Sequence, residues 1–383
     1  MQVRRSWLII AAVMVALFTS APGSAAGFGT IDGGGQNKEH ERITRAALAC
    51  AGDGGSDADC FEPRSIDLLA GHAREFGAVG SPDKDELSLP AAHCDNVDFL
   101  AGEYPRTRGQ ATDALLDCVN QLRGRFGQGA DSAPALLDAQ GQIVPDQVTL
   151  DPECRFGEAT SREAADPRAK CMTLEGLGRV LHGAQDFYAH SNWADTSDPT
   201  RPVGVDNPPG LNLPGPSPVL DLRGERTPDV PPDLTGGCYA LRDQVPGVGE
   251  CEQRVTHAAL NKDRGLIDPA TGHATDPTTP RGLVEDNFAK AVAGAVAETR
   301  RQWRDFRSEL ADRYGSERAR MMICALTHDD PVNDCPGRLS GPVVGIGLLA
   351  LFGIATVTAL TLRTRRRRKV HAQTTARDNP HRP

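Results

Sequence analysis

The sequence predicts an all-α fold, a multi-helix bundle with long proline-rich loops followed by one C-terminal transmembrane helix. In several separate segments, most clearly 281–314, apolar residues recur at steps of three, four and seven, the period of a helix face. No βαβ pattern and no phosphate-cradling glycine loop before a helix breaks that rhythm. Near the end, residues 342–362 form an uncharged apolar run, followed by Arg363, Arg365, Arg366, Arg367, Arg368 and Lys369. About twenty apolar residues span a bilayer, and a basic flank stays on its cytoplasmic side.

Residues 1–26 read as a secretory signal peptide: Arg4 and Arg5, an apolar stretch over 7–18, then small Ser24, Ala25 and Ala26. The arginine pair also permits a twin-arginine route. The mature protein then begins near Gly27. An ectodomain covers 27–336, a juxtamembrane leash 337–341, the membrane helix 342–362 and a basic tail 363–383. The expected location is the cell membrane, single-pass, with the N-terminal body outside and the tail in the cytoplasm. All ten cysteines lie between the signal and the apolar run, so disulfides are expected. Neighbour pairing would close five short loops, although spacing leaves the connectivity open. The lack of any Cys-x-x-Cys argues against a cysteine-based zinc site.

A glycine-rich lead enters a helix over 38–49, where Ile43, Ala47 and Leu48 share a face and His40 sits in the first turn. A second helix is expected over 65–76, capped by Ser65, with Ile66, Leu69 and Ala70 inward and His72 on the surface. A polar stretch holding Asp83, Asp85 and His93 follows. The next helix spans 102–126 with Leu115, Leu116, Val119 and Leu122 inward, and 127–151 reads as loop. Helix returns over 173–190. Residues 195–237 are proline-rich and without period; we read a disordered insertion there, with a lid over a site as the alternative. The longest helix is expected over 281–314, turning Phe288, Val292, Val296, Trp303, Phe306 and Leu310 inward, and a short one over 316–326.

The helix over 173–190 carries the chemistry. His182, Asp186 and His190 recur every four residues, which stacks two imidazoles and a carboxylate on one face. Those are nitrogen and oxygen ligands of zinc, at a spacing that lets two reach one ion. The wider motif, residues 181–193, reads Leu-His-x-x-x-Asp-Phe-Tyr-x-His-Ser-Asn-Trp. It resembles the central motif of the zinc-dependent phospholipase C superfamily, most closely its Het-C-like branch; that superfamily also contains single-strand nucleases.

The resemblance implies an all-helical fold with up to three ions held by His and Asp from several helices. It implies metal contacts from the mature N-terminal residue, Gly27, and from His40. It places an Asp and then a His before the motif: Asp83, with Asp85 as its rival, and His93. After the motif it implies His257. The phospholipases have a carboxylate four residues beyond that His, where this chain has Asn261; Asp263 substitutes if the helix ends there. His190 follows Asp186 by four residues, a narrower gap than in the phospholipases, so metal number does not carry over. The full candidate metal set is Gly27, His40, Asp83, His93, His182, Asp186, His190, His257 and Asp263.

Clustered zinc lowers the pKa of water and polarises phosphoryl oxygens. Asp186, between two imidazoles, is the expected bridging carboxylate, and Asp83 the catalytic residue that orients or deprotonates the attacking water. The first expectation is a membrane-anchored phosphoester hydrolase using two or three zinc ions on a phospholipid or another phosphodiester. The alternative is a non-catalytic surface or envelope protein with one structural zinc. A nuclease ranks third. The signal accounts for two arginines and the tail for eight basic residues and one acidic. About 32 Lys and Arg then face about 50 Asp and Glu, a surface that repels a polyanion.

Overall fold

The computed structural model describes residues 27–50, 60–73, 75–156, 166–224, 226–239 and 249–335. Contacts divide the chain into Met1–Cys335 and Pro336–Pro383, and every described residue belongs to the first unit. The expected signal peptide, leash, membrane helix and basic tail lie outside the described residues. The described residues are mostly helical, in keeping with an all-α class, and the fold prediction is corrected in one respect. Among the described residues no helix is long and apolar enough to cross a membrane. Two short antiparallel ribbons, Asp32–Gly33 with Gln36–Asn37 and Leu266–Ile267 with Ala274–Thr275, accompany the helices.

The described helices are α1 (Glu39–Leu48), α2 (Pro63–Ala70), α3 (Ser81–Asp85), α4 (Arg108–Ser132), α5 (Pro145–Val148), α6 (Ala169–His190), α7 (His257–Leu260), α8 (Asn287–Tyr314), α9 (Ser316–Thr327) and α10 (Pro331–Asp334). The α6 helix is the axis. Every residue of it except Met172 is buried, and it packs between α4 and α8. Two glycines make the approach close enough. A Cβ on Gly178 would lie 2.4 Å from the Ala78 backbone, and one on Gly176 2.5 Å from Gly129 N. Leu174, Leu177, Val180 and Leu181 then meet Leu122, Phe126 and Phe306 in one continuous core.

Several expected boundaries shift, each for a local reason. The α2 helix begins at Pro63 and stops at Gly71, whose φ of 97° breaks the turn; Ser65 is buried and is not its cap. A capping box of Thr107 with Gln110 starts α4 six residues later than the apolar pattern suggested, and the helix runs on to Ser132 through the stretch read as loop. The long helix starts at Asn287 rather than 281. The proline-rich 195–237 segment is packed rather than a disordered insertion. Val219 and Leu220 are fully buried, Trp193 Nε1 donates to Pro214 O, and Ser217 N donates to the Tyr188 hydroxyl and to Glu298.

Five disulfides join neighbouring cysteines: Cys50–Cys60, Cys94–Cys118, Cys154–Cys171, Cys238–Cys251 and Cys324–Cys335. They point to an extracellular or otherwise oxidising environment.

Lys170, at the start of α6, is wholly buried where α2 meets the end of α9. Its ammonium donates to Ser65 Oγ at 2.9 Å and His328 O at 2.8 Å. Burial, only partly opposed by Asp329 and Glu62, pushes its pKa down to about 7. The unfolded chain therefore holds a proton that the folded chain releases between pH 7 and the usual lysine range, and stability rises with pH across that window. The unfolding free energy of the wild type, from urea titrations, should rise between pH 7 and 9 by about 2 kcal/mol more than that of Lys170→Met. Parallel pH profiles would refute this account.

Candidate metal centre

The ring orientations are set from outside the cluster. His182 Nδ1 faces Val79 O at 2.9 Å, a partner that can only accept, so the proton is on Nδ1 and Nε2 carries a lone pair. His93, beside the 3₁₀ turn Pro90–Ala92, has Nε2 3.3 Å from Glu86 O, which turns Nδ1 inward. His40 on α1 turns Nδ1 to Gln185 Oε1 at 2.7 Å. The Gln185 amide is itself held by donation to Thr44 Oγ1 and Thr299 Oγ1, both at 3.0 Å, and so His40 Nε2 is free as well.

The three inward nitrogens gather on Asp186. His182 Nε2 and His93 Nδ1 each lie 3.0 Å from its Oδ2 and 2.9 Å from one another, and His40 Nε2 lies 3.2 Å from Oδ1. These nitrogens and carboxylate oxygens converge on one buried space, where positive charge, a proton or a metal ion, offsets the Asp186 carboxylate. His40 Nε2 is buried with no hydrogen-bond partner. Phe28 N donates to Asp186 Oδ1 at 3.1 Å, and Gly27 lies so close that a Cβ there would fall 2.2 Å from the same oxygen. Asp83 forms the edge, its Oδ1 3.7 Å from His182 Nε2 and unpartnered while Thr30 Oγ1 donates to its Oδ2.

Further along α6, His190 is the last helical residue and belongs to a second cluster. Its Nδ1 lies 3.0 Å from Asp95 Oδ1 and its Nε2 3.3 Å from Asp263 Oδ1, and His257 Nε2 lies 3.9 Å from Asp263 Oδ2. A backbone pairing seats His257: its N–H donates to Cys238 O, and Cys238 N–H to Val255 O. Asn261 Oδ1 accepts from Asp263 N at 3.0 Å, a tight turn that presents Asp263 to the cluster in place of the amide.

Electrostatics tell the same story. Burial disfavours charge on every imidazole here, yet Asp186 outweighs it at His93, pushed up to about 9, and raises His40 as well. Burial holds His182 low, with His40 adding to the effect. Asp186 stays well below the usual carboxylate range despite burial, because His182, His40 and His190 face it. Asp95 and Asp263 raise His190 against burial, whereas burial and the charge of His190 lower His257.

The candidate residues thus fall into two clusters rather than one. Three donor groups among them are close enough to hold an ion: His40 with His182 and Asp186, Asp83 with His93 and His182, and Asp95 with His190 and His257. The identity of the metal is not fixed by these donors. Asp85 is drawn away by Arg179 at 2.7 Å, which leaves Asp83 as the carboxylate of the site. A further grouping, Cys324, His328 and Cys335, has both sulfurs in a disulfide and offers no thiolate. Sequence reasoning missed Asp95 and Gln185. Asp95 stands two residues after His93, the only signal available, and Gln185 precedes Asp186 on α6 with nothing in the sequence to mark it.

Only Asp83 opens toward the surface, its side chain 12% exposed against 3% or less for His40, His93, His182 and Asp186. It lines a mostly apolar cavity of about 340 Å³ with Ile31, Phe76 and Leu87, under the glycines of the first ribbon. No protein-family model matches the chain, no curated protein matches it, and no solved structure matches it.

Proposed function

We propose that the chain is a metal-dependent phosphoester hydrolase resembling the zinc-dependent phospholipases C, acting on a phospholipid-type phosphodiester. The observation that carries this reading is the approach of His182 Nε2, His93 Nδ1 and Asp186 Oδ2 to within 3.0 Å of one another in the buried interior. Zinc-type ions would be held by His40, His93, His182, Asp186 and Asp83 in the first cluster, and by His190, His257 and Asp263 in the second, with Gly27 against Asp186. When bound, such ions supply a nucleophile at neutral pH and neutralise charge on phosphoryl oxygens.

The chain's own residues supply the rest. Thr30 occupies one oxygen of Asp83, and the other is left to take a proton from the attacking water. Gln185, Val79 O and Glu86 O each engage the outer nitrogen of an imidazole and so turn its other nitrogen toward the cluster. The apolar cavity beside Asp83 receives the aliphatic part of the substrate and places the phosphoryl group at the polar edge. A structural metal without catalysis is the second reading, favoured by how little of the cluster reaches solvent. A nuclease stands behind both, because the acidic surface repels a polyanion.

The test is a pair of measurements on the purified chain: bound metal by mass spectrometry, and head-group release from phosphatidylcholine vesicles with and without chelator. Two or more ions per chain with chelator-sensitive release is the expected result. One tightly held ion with no turnover would overturn the enzyme in favour of the structural reading.

A further inference from the structure

The carboxylate at the open edge of the first cluster sits on a weak element. Asp83 lies in α3, a helix of five residues, too short to be stable on its own. What fixes α3 against the rest is a side chain of α6. Arg179, 2% exposed, sends Nη1 and Nη2 to the two oxygens of Asp85 at 2.9 and 2.7 Å, and Nη1 also to Glu86 Oε2 at 2.6 Å. Its Nε and Nη2 donate to Glu175 Oε1, one turn back on α6, at 3.3 and 2.9 Å. The guanidinium is thereby locked in one plane, and the end of α3 is gripped at two consecutive residues. Gln121 and Arg125 of α4 donate to the other oxygen of Glu86.

Both gripped residues bear on the cluster. Asp85 stands two residues after Asp83, whose Oδ1 lies 3.7 Å from His182 Nε2. Glu86 supplies the carbonyl that faces His93 Nε2 at 3.3 Å. On α6, Arg179 precedes His182 by three residues, so the gripping group and the imidazole share a face of the helix. Buried ion networks contribute little net stability, because desolvation offsets much of the attraction; what the paired, charge-assisted bonds of Arg179 supply is direction.

We propose that Arg179 is a positioning residue, which sets Asp83 and the Glu86 carbonyl against His182 and His93 by clamping the end of α3 to α6. The inference rests on the proposed metal-binding role of the first cluster, and the outcomes separate the two. Zinc competition against a chromophoric chelator, on the full-length, oxidised chain, reads it without any activity measurement. The quantity compared is the affinity of the equivalent that His182→Asn removes. Arg179→Met should weaken it about tenfold, the low end of the effect of losing an outer partner of a metal ligand. Asp85→Asn, a milder change, should weaken it in the same direction. The double variant should be no weaker than Arg179→Met, because both changes act through one contact. Arg301→Met, which breaks an ion pair with buried Glu298 on α8, controls for lost stability and should leave the affinity unchanged. In the hydrolysis assay Arg179→Met should lower kcat about tenfold with KM unchanged.

A loss of affinity in Arg179→Met no larger than in Arg301→Met would overturn the clamp, as would full additivity with Asp85→Asn. If Arg179→Met fails to fold, wild-type affinity in Asp85→Asn does the same. If zinc binds and the variants behave as stated while no hydrolysis is seen, only the enzyme reading falls. If hydrolysis is seen and Arg179→Met keeps wild-type affinity and kcat, only the clamp falls. A wild type lacking that zinc equivalent overturns both.

Discussion

Asp186→Asn should empty the first cluster. The substitution keeps the shape of the side chain but removes the negative charge on which His40, His93 and His182 converge at 3.0–3.2 Å. An amide in that position also turns an N–H toward atoms whose lone pairs are needed. Replacing a mere outer-shell partner of a metal ligand lowers metal affinity or activity by about 10- to 100-fold, so the loss here should be at least about a hundredfold in chelator-sensitive hydrolysis. Bound metal should fall in parallel, with far-UV circular dichroism unchanged. A variant that retains its full metal content would show that Asp186 only anchors the three histidines.

Asp195→Ala should be the most destabilising single change away from the metal clusters. Asp195 is fully buried and faces two buried cations: Lys262 at 3.0 Å, and Arg281, whose Nε and Nη2 donate to its two oxygens at 2.8 and 2.9 Å. Removing it leaves both charges uncompensated in the interior, a loss of about 3–5 kcal/mol. Arg281 would keep Asn207, and Lys262 only the carbonyls of Ser191 and Leu260. Urea unfolding measures the effect, and the double variant Asp195→Ala with Lys262→Met should recover part of it. A loss below about 1 kcal/mol would mean that water or rearrangement neutralises the site. The network matters beyond stability, because Lys262 holds the carbonyl that follows His190 and stands next to Asp263.

Much of the framework was legible in the chain. Apolar periodicity identified the helices at 38–49, 173–190 and 316–326 to within a few residues, since each of them buries a stripe that the pattern records. Where a cap rather than a stripe decides the boundary, as at Thr107, or a left-handed glycine, as at Gly71, the pattern misplaced the end. The 195–237 segment was misread for a related reason. Its order comes from long-range partners, among them Asn192 donating to Pro209 O and Asp233 O, and these leave no period in a proline-rich sequence.

By itself the sequence determined the residue types, the four-residue spacing on α6 that aligns His182 and Asp186, and the cysteine content that favours an oxidising environment. Tertiary structure alone decided which atoms meet. A ring nitrogen becomes a donor to a cation only when a distant carbonyl or amide takes the proton on the other side, and those partners, Val79 O, Glu86 O and Gln185 Oε1, are brought in by packing. It also divided the candidates into two clusters and admitted Asp95 to one of them, because a rise of about two turns separates His182 from His190 along the same helix.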